Sequence, residues 1–218
     1  MPKILAVADE IDPALTFDAL RALAPDLVVS CGDLPLDELE RMVDATNAPL
    51  LYVPGNHDPD LRAKPGGLAY PPSVTHRDMV DPPGPRGGTN VDGRIEEAAG
   101  LRLAGLGGSL RYREGPNQYT QAQMRRRARR LAWHARLRRR VGGRAVDVLL
   151  THAPPRGLGD EEEDPVHQGF DAFHALVRRL RPRLLLHGHV HPYGVPRPDR
   201  DLDGTRVVNV VPHRVLEL

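Results

Sequence analysis

The sequence predicts an α/β protein built on a parallel sheet, and the prediction depends on three short segments and on what separates them. Residues 4–8, Leu27–Ser30 and residues 50–53 are largely apolar runs with the length of a buried strand. The stretches between them each have room for one helix. Strand, helix, strand, helix and strand at this spacing are typical of βαβ units, in which successive strands run parallel.

The first helix is predicted to begin at Asp12 and Pro13. Asp12 offers an N-cap oxygen, and Pro13 suits the first helical turn. A second helix is predicted over residues 35–45. The inward face of the first helix is predicted to carry Leu15, Ala19, Leu20 and Leu23.

The middle of the chain combines loop, hairpin and helix signals. Residues 59–92 are dense in Pro and Gly and predict mostly loop, with a short strand near Val74. Residues 94–98 and Leu101–Leu106 predict a β-hairpin around Gly100. A long helix over residues 120–140 follows, with its arginines largely outward. The residues predicted to face inward are Met124, Ala128, Leu131, Ala135 and Leu137.

The C-terminal third returns to the strand and helix pattern. A buried strand is predicted over residues 146–150, and the acidic run 160–164 is expected to be a solvated loop. A helix over residues 170–180 leads into a strand at 184–186, and strands at 205–210 and 214–218 close the chain.

Length and composition favour one domain spanning residues 1–218. The chain has 218 residues, of which 40% are hydrophobic, and this suffices for one sizeable core. The single cysteine, Cys31, excludes an internal disulfide and a multi-cysteine zinc site. Apolar runs are far shorter than the roughly 18 residues of a spanning helix, and acidic residues interrupt the N-terminal segment. We therefore expect a cytoplasmic protein that does not enter a membrane.

The charge is unevenly distributed. Residues 124–140 contain nine arginines and no acidic residue, although the formal net charge is only +1. Such a segment can attract phosphate-bearing partners. One hypothesis is therefore a non-catalytic protein that binds a nucleic acid or an acidic partner through this helix, with a structural metal site. The sequence does not indicate an oligomeric state.

Residues able to bind a metal follow five of the predicted strands. Because the carboxyl ends of parallel strands lie at one edge of a sheet, these residues are expected to lie close together. Nitrogen and oxygen donors without sulfur suit Mn²⁺ best here, with Fe, Zn, Ni or Mg as alternatives. Six donors exceed the need of one ion and fit two divalent ions about 3.5–4 Å apart. The six are Asp9, Asp33, Asn56, His152, His189 and His191.

Four motifs in this set resemble those of the calcineurin-like metallophosphoesterases. They are Gly32-Asp33, Gly55-Asn56-His57-Asp58, His152 after a strand, and Gly188-His189-Val190-His191. Their order and approximate spacing match across residues 4–192. The resemblance implies a four-layer α/β/β/α sandwich of the metallo-dependent phosphatase type, a dinuclear metal site and a phosphoester substrate.

The resemblance also implies a role for each site residue. Asp33 would bridge two metal ions, with Asp9 and His191 on the first ion and Asn56, His152 and His189 on the second. His57 would protonate the leaving oxygen, a role that suits an imidazole titrating near neutral pH. Asp58 would hydrogen-bond to His57 and orient it. A hydroxide held between the metals would attack the phosphorus.

The sequence departs from the family at the first motif. Ile11 stands where the family usually has histidine, so the first metal lacks one ligand. Asp12, Glu10 or water could replace it, although Asp12 equally suits a helix N-cap.

The implied function is metal-dependent hydrolysis of a phosphoester, with a phosphodiester favoured over a monoester. Residues 107–119 follow a strand and are a candidate substrate loop, in which Arg111 or Asn117 would contact phosphate. A nuclease whose arginine-rich helix holds DNA or RNA combines the two hypotheses.

Overall fold

A computed structural model describes residues 1–60, 84–137, 144–195 and 197–218. Within these residues the chain is mixed α/β. The helices are α1 (Phe17–Leu23), α2 (Leu36–Thr46), α3 (Gln121–Leu137) and α4 (Ala172–Leu180). The strands are β1 (Lys3–Val7), β2 (Leu27–Ser30), β3 (Leu50–Tyr52), β4 (Gly88–Asn90), β5 (Ile95–Ala98), β6 (Leu101–Leu106), β7 (Ser109–Leu110), β8 (Gln118–Tyr119), β9 (Val148–Thr151), β10 (Leu184–His187), β11 (Arg200–Leu202), β12 (Thr205–Asn209) and β13 (His213–Glu217).

The first sheet has the order β13-β1-β2-β3-β4. Its strands β1 to β4 are parallel, with Leu5 opposite Val28 and Val28 opposite Leu50. The last strand of the chain, β13, joins β1 in antiparallel register. The carboxyl ends of β1, β2 and β3 therefore lie next to one another.

The second sheet has the order β11-β12-β10-β9-β6-β5. Its four central strands are parallel, with Leu185 of β10 between Leu149 of β9 and Val207 of β12. Antiparallel strands β5 and β11 form the two edges. The short pair β7 and β8 forms a separate two-stranded sheet.

Three clusters of buried side chains connect these elements. Alternate residues of β1 point to opposite faces: Leu5 lies in a cluster with Leu20 of α1 and Met42 of α2, and Ile4 lies in a cluster with Leu150 of β9. The other face of the second sheet packs on α3 and α4. The succession of helix–sheet, sheet–sheet and sheet–helix clusters is consistent with the sandwich implied by the resemblance.

Most predicted elements are confirmed, including the parallel strands and the antiparallel hairpin of β5 and β6. Met124, Ala128, Leu131 and Ala135 of α3 are buried as predicted. The inward placement of Leu137 was wrong, because its side chain is 65% exposed. No helix among the described residues has the length and apolarity needed to cross a membrane.

The predicted start of the first helix was also wrong. Helix α1 begins at Phe17, and its N-cap is Thr16, whose hydroxyl accepts a hydrogen bond from the Ala19 backbone at 3.2 Å. Asp12 instead accepts from the Ala14 backbone in a local turn. Ala19, expected to face inward, is exposed.

Four short strands were not predicted. Strands β4 and β11 lie at sheet edges, and the pair β7 and β8 lies within the segment expected to be a loop. Strands of two or three residues carry too little periodicity to be recognised from sequence. The strand expected near Val74 lies outside the described residues.

Candidate metal centre

The structure brings together donor side chains from both sheets at the carboxyl ends of their parallel strands. Asp9, Asp33 and Asn56 follow β1, β2 and β3 in the first sheet, while His152 and His189 follow β9 and β10 in the second. Carboxylate and imidazole donor atoms of Asp9, Asp33 and His152 all lie within 4.8 Å of one another. These residues form the centre of the candidate site.

His152 is fully buried and connects the two sheets. Its Nδ1 atom lies 2.7 Å from the Cys31 carbonyl oxygen, and its Nε2 atom lies 2.9 Å from Oδ1 of Asn56 and 3.2 Å from Oδ2 of Asp33. A carbonyl oxygen only accepts, so Nδ1 carries a proton. In the neutral ring Nε2 then presents a lone pair toward two further oxygen acceptors.

His189 contacts a backbone carbonyl through the opposite ring nitrogen from His152. Its Nε2 atom lies 2.8 Å from the Val166 carbonyl oxygen and donates to it. Nδ1 is therefore the lone-pair nitrogen of the neutral ring. The His189 and His152 rings are 4.8 Å apart between centroids, and the His189 backbone N–H donates to Oδ2 of Asp9 at 2.9 Å.

The backbone is unusual at three of these residues. Asp9, Asp33 and His189 have φ values of 62°, 59° and 69°, in the left-handed region that residues other than glycine rarely adopt. Such conformations cost about 1–3 kcal/mol each and persist only where the surroundings enforce them. Their concentration at one edge of the sheets is typical of a functional site.

The charges of the site are strongly coupled. Burial alone would lower the pKa of His152, but the carboxylates of Asp33 and Asp9 outweigh this effect and raise it to about 9. Burial alone would raise the pKa of Asp33, but the charge and hydrogen bond of His152 lower it to about 2. For Asp9, burial raises the pKa to about 6. In the absence of a metal, a proton on His152 thus compensates the buried carboxylates.

The donor set fits a divalent cation. Two carboxylates and an amide oxygen surround Nε2 of His152, with the His189 ring beside them, and within this set only a proton on His152 opposes the negative charge. A cation would replace that proton and serve all these acceptors. Oxygen and imidazole donors without thiolate suit Mn²⁺, Fe, Zn or Ni.

Of the residues expected around the first metal, His191, Glu10 and Asp12 lie outside the cluster formed by Asp9, Asp33 and His152. His191 is partly exposed, and its Nδ1 atom lies 2.6 Å from Oε1 of Glu10. Asp12 turns away from this group, since its Oδ2 atom lies 2.8 Å from Nδ1 of His213. Ile11 is 55% exposed. Of the two carboxylates that could replace the missing histidine, Glu10 is therefore the one in contact with a candidate ligand.

His57 lies at the exposed rim of the site. Its backbone N–H donates to Oδ1 of Asp33 at 2.8 Å, which fixes the loop next to the carboxylate. Its Nδ1 atom lies 3.4 Å from Nη2 of Arg113. Because a guanidinium only donates, Nδ1 accepts, and the proton of the neutral ring lies on Nε2.

Asp58 does not hydrogen-bond to His57, contrary to the sequence expectation. Its Oδ2 atom instead accepts from the backbone N–H groups of Gly55 at 2.7 Å and Asp33 at 3.0 Å. The carboxylate thus joins the loops after β2 and β3. Its effect on His57 is through the backbone, and Arg113 is the side chain at the imidazole.

The loop between β7 and β8 contributes residues that sequence reasoning missed. Tyr112 accepts a hydrogen bond from Nδ2 of Asn56 at 3.2 Å, and Arg113 adjoins His57. Arg111, expected at the substrate, points toward the Gln118 carbonyl and the side chain of Gln123. Residues 107–119 therefore border the candidate site, and Arg113 is the arginine of this segment that contacts His57.

Asn117 was also expected to contact substrate, and it is buried. Its Nδ2 atom donates to the carbonyl oxygens of Asp58 at 3.2 Å and Pro59 at 3.3 Å. Gln118 fixes the same loop, because its Oε1 atom accepts from the backbone of Tyr112 and Arg113. Asn117 therefore positions the loop that carries Arg113.

The acidic segment expected to be a solvated loop makes specific contacts. Ligand atoms of Glu161, Asp164 and His167 lie within 4.8 Å of one another. The negative charges of this group already have partners, since Asp164 pairs with His167 and Glu161 pairs with Arg197. The His167 ring lies 5.2 Å from that of His189, so this segment forms one wall beside the candidate site.

Comparison with solved structures supports the fold. One crystal structure aligns with a TM-score of 0.60 and 19% identity, covering 96% of this chain and 91% of the other. The protein TT1561 of Thermus thermophilus aligns with a TM-score of 0.52 and 16% identity, covering 96% of this chain and 88% of the other. A search of curated proteins finds no significant match. At these identities the structural likeness concerns the fold.

The fold and the donors at its strand ends define a metal-binding phosphoesterase. The family model "Calcineurin-like phosphoesterase" matches residues 3–193, and the chain belongs to this family. Its class of activity is accordingly metal-dependent hydrolysis of phosphoric esters.

Proposed function

We propose that the enzyme hydrolyses phosphodiesters with two divalent cations, of which Mn²⁺ is the preferred species. The observation that carries the proposal is the convergence of Asp33 Oδ2 and Asn56 Oδ1 on Nε2 of His152. Asp33 would lie between the two ions. Asn56, His152 and His189 would hold one of them.

The other ion would be held by Asp9 and His191. Glu10, which contacts His191, would take the place of the missing histidine. When bound, the two cations would supply positive charge to the phosphoryl oxygens and would lower the pKa of water, so that hydroxide, the attacking nucleophile, is available near neutral pH.

The residues around the cations would bind the substrate and transfer the proton. His57 carries its proton on Nε2 when Nδ1 accepts from Arg113, and Nε2 is then the atom that protonates the leaving oxygen. Arg113 would also contact an oxygen of the phosphoryl group, as guanidinium groups do in phosphate recognition. Tyr112 would hold Asn56 in its ligating orientation.

A diester is preferred to a monoester on grounds of charge. Arg113 is the arginine that adjoins His57 among the described residues. A diester carries one negative charge and a monoester nearly two. A single arginine beside the metals therefore matches the charge of a diester better than that of a monoester.

We also propose that residues 1–218 form one domain. Strands β12 and β13 lie beyond the family match, yet Val208 and Leu216 belong to the same buried cluster as Ile4 and Leu150. Removing them would expose the interface between the sheets.

The test combines metal content with a substrate panel. Protein stripped with EDTA is reloaded with Mn²⁺, Fe²⁺, Zn²⁺, Ni²⁺ or Mg²⁺, and bound metal is counted by elemental analysis. Hydrolysis of bis(p-nitrophenyl) phosphate is compared with hydrolysis of p-nitrophenyl phosphate. We expect two ions per chain, highest activity with Mn²⁺ and a higher kcat/KM for the diester. One ion per chain, or preference for the monoester, would contradict the corresponding part of the proposal.

A further inference from the structure

Helix α3 carries a strongly basic exposed surface. Among Gln121–Leu137 there are six arginines and no acidic residue. Arg127 has a structural role: it forms an ion pair with Asp92 and lies 4.1 Å above the ring of Tyr119. The other five are exposed and form no ion pair with the described residues. They are Arg125, Arg126, Arg129, Arg130 and Arg136.

A groove between α3 and α4 adds to this surface. It has a volume of about 140 Å³ and is lined by Arg125 and Arg129 of α3 and Arg179 of α4, with Asp171 as the acidic member. Small side chains such as Ala128 and Ala175 also line it and leave room for a ligand. Three guanidinium groups and one carboxylate make the groove attractive to an anion.

The exposed face of α3 also carries the single tryptophan of the chain. Arg126, Arg130, Trp133 and Leu137 follow one another at helical spacing and share one side of the helix. Trp133 is 60% exposed and Leu137 is 65% exposed. A large aromatic ring beside arginines provides one position on which a base can stack.

One loop connects this surface with the candidate active site. The loop that places Arg113 at His57 leads through β8 directly into α3. The same loop touches the first turn of the helix, since Arg111 donates to Oε1 of Gln123 at 3.3 Å. A polyanion on α3 would therefore lie beside the loop that flanks the site.

We infer that the exposed arginines of α3 bind the phosphate backbone of a nucleic acid, and that a nucleic acid is the substrate class of this enzyme. The inference rests on the phosphodiesterase function proposed above. A helix of 17 residues is about 25 Å long, the length of roughly seven nucleotides of one duplex strand at 3.4 Å each. Arginine suits phosphate through its paired donors, and a single exposed tryptophan implies recognition of the backbone with little reading of bases.

A membrane surface suits α3 less well. A helix that lies on a membrane inserts its apolar face among the lipids. The apolar face of α3 is already buried, with Met124, Ala128 and Leu131 in the cluster beneath the second sheet. Only Trp133 and Leu137 remain as exposed large apolar side chains on this helix.

Trp133 provides the test, because it is the sole source of tryptophan fluorescence in the protein. The EDTA-treated full chain is titrated with single-stranded DNA or RNA of about 20 nucleotides, which exceeds the roughly seven that α3 spans. The double variant Arg126→Gln, Arg130→Gln is compared with Arg21→Gln, Arg200→Gln. The control variant has the same charge change on exposed arginines of α1 and β11.

We expect oligonucleotide to change Trp133 fluorescence and to bind the α3 variant about tenfold more weakly. The slope of log K against log salt should fall in magnitude by about 1.4, the contribution of two phosphate contacts on a single strand. Hydrolysis of oligonucleotide should fall in parallel, while hydrolysis of bis(p-nitrophenyl) phosphate should be unchanged. The control variant should bind within about twofold of the unaltered protein, since its charges lie off the proposed path.

Equal weakening in both double variants, or no change in Trp133 fluorescence, would overturn the inference. So would a blue shift of Trp133 with phosphatidylserine vesicles and none with oligonucleotide, which would assign α3 to membranes. Failure of the unaltered enzyme to hydrolyse bis(p-nitrophenyl) phosphate with any metal would instead count against the proposed function itself.

Discussion

Oδ2 of Asp33 lies 3.2 Å from Nε2 of His152, although the two residues follow strands of different sheets. The contact is possible because the parallel strands β2 and β9 end at the same edge of the molecule. Asn56 meets the same nitrogen, and Asp9 and His189 adjoin it. The site therefore depends on the packing of one sheet against the other.

Replacing Asp33 with asparagine should abolish metal binding at the shared position and reduce activity to background. The substitution keeps the shape of the side chain but removes the charge that would lie between two cations. Elemental analysis of the reloaded protein measures the loss. Asp164→Asn is the matched control, because Asp164 belongs to the other carboxylate and histidine group. Loss of metal in the control with retention in Asp33→Asn would place the metal in that second group.

Replacing His57 with alanine should leave the metal content unchanged and lower kcat by about 10²–10⁴-fold. His57 faces the rim of the site, and its proposed contribution is a proton for the leaving oxygen. The loss should be larger for an alkyl ester than for a p-nitrophenyl ester, because an alkoxide leaves poorly without a proton. His134→Ala, on α3, serves as the control. Equal losses for both esters would argue against proton donation.

Replacing Gly55 with alanine should displace Asp33 and weaken metal binding without unfolding the protein. A Cβ atom at Gly55 would lie 2.0 Å from Oδ1 of Asp33, well inside van der Waals contact. Gly115→Ala is the matched control, since the nearest atom to its added Cβ is Nε2 of Gln118 at 3.4 Å. Metal content and circular dichroism measure the two effects. Full metal content in Gly55→Ala would show that Asp33 is not held against this glycine.

Replacing Arg113 with alanine should raise KM for bis(p-nitrophenyl) phosphate about 10-fold, corresponding to the loss of roughly 1.4 kcal/mol of substrate binding. Arg111→Ala should leave KM unchanged, because Arg111 points toward Gln118 and Gln123. Both variants should retain their metal. The reverse ranking of the two KM values would assign the phosphate contact to Arg111.

The metal-free protein should lose stability as the pH rises from about 6.5 to above 9. The folded-state pKa of His152 is raised from 6.5 to about 9, so its stabilising contribution is complete below 6.5 and is lost as the pH rises through 9. The lowered pKa of His189, about 3, acts only below this window. The melting temperature of EDTA-treated protein between pH 6.5 and 9.5 measures the effect.

Metal-loaded protein should show a smaller loss over the same interval. In the proposed site neutral His152 would be a ligand, and the cation would take over the role of the proton. A melting temperature of the metal-free protein that does not change between pH 6.5 and 9.5 would contradict the coupling of His152 with Asp33 and Asp9.

Much of the fold could be predicted because its signals are local. The runs at β1, β2 and β3 are apolar enough to indicate buried strands, and the spacing between them leaves room for a helix each. The start of α1 could not be predicted in the same way. Asp12 and Thr16 both suit an N-cap, and in the structure Asp12 instead contacts His213, which is distant in sequence.

The sequence by itself determined the family, the α/β class and the residue types that follow the strands. These depend on apolar runs and short motifs such as Gly55-Asn56-His57-Asp58, which can be recognised without knowledge of neighbours. Only the tertiary structure decided that Asp58 bonds to backbone, that Arg113 and not Arg111 adjoins His57, and that Glu10 contacts His191. The physical reason is that the directions of these side chains are set by contacts between loops that are distant in sequence, so that Arg111 and Arg113, two residues apart, meet different partners.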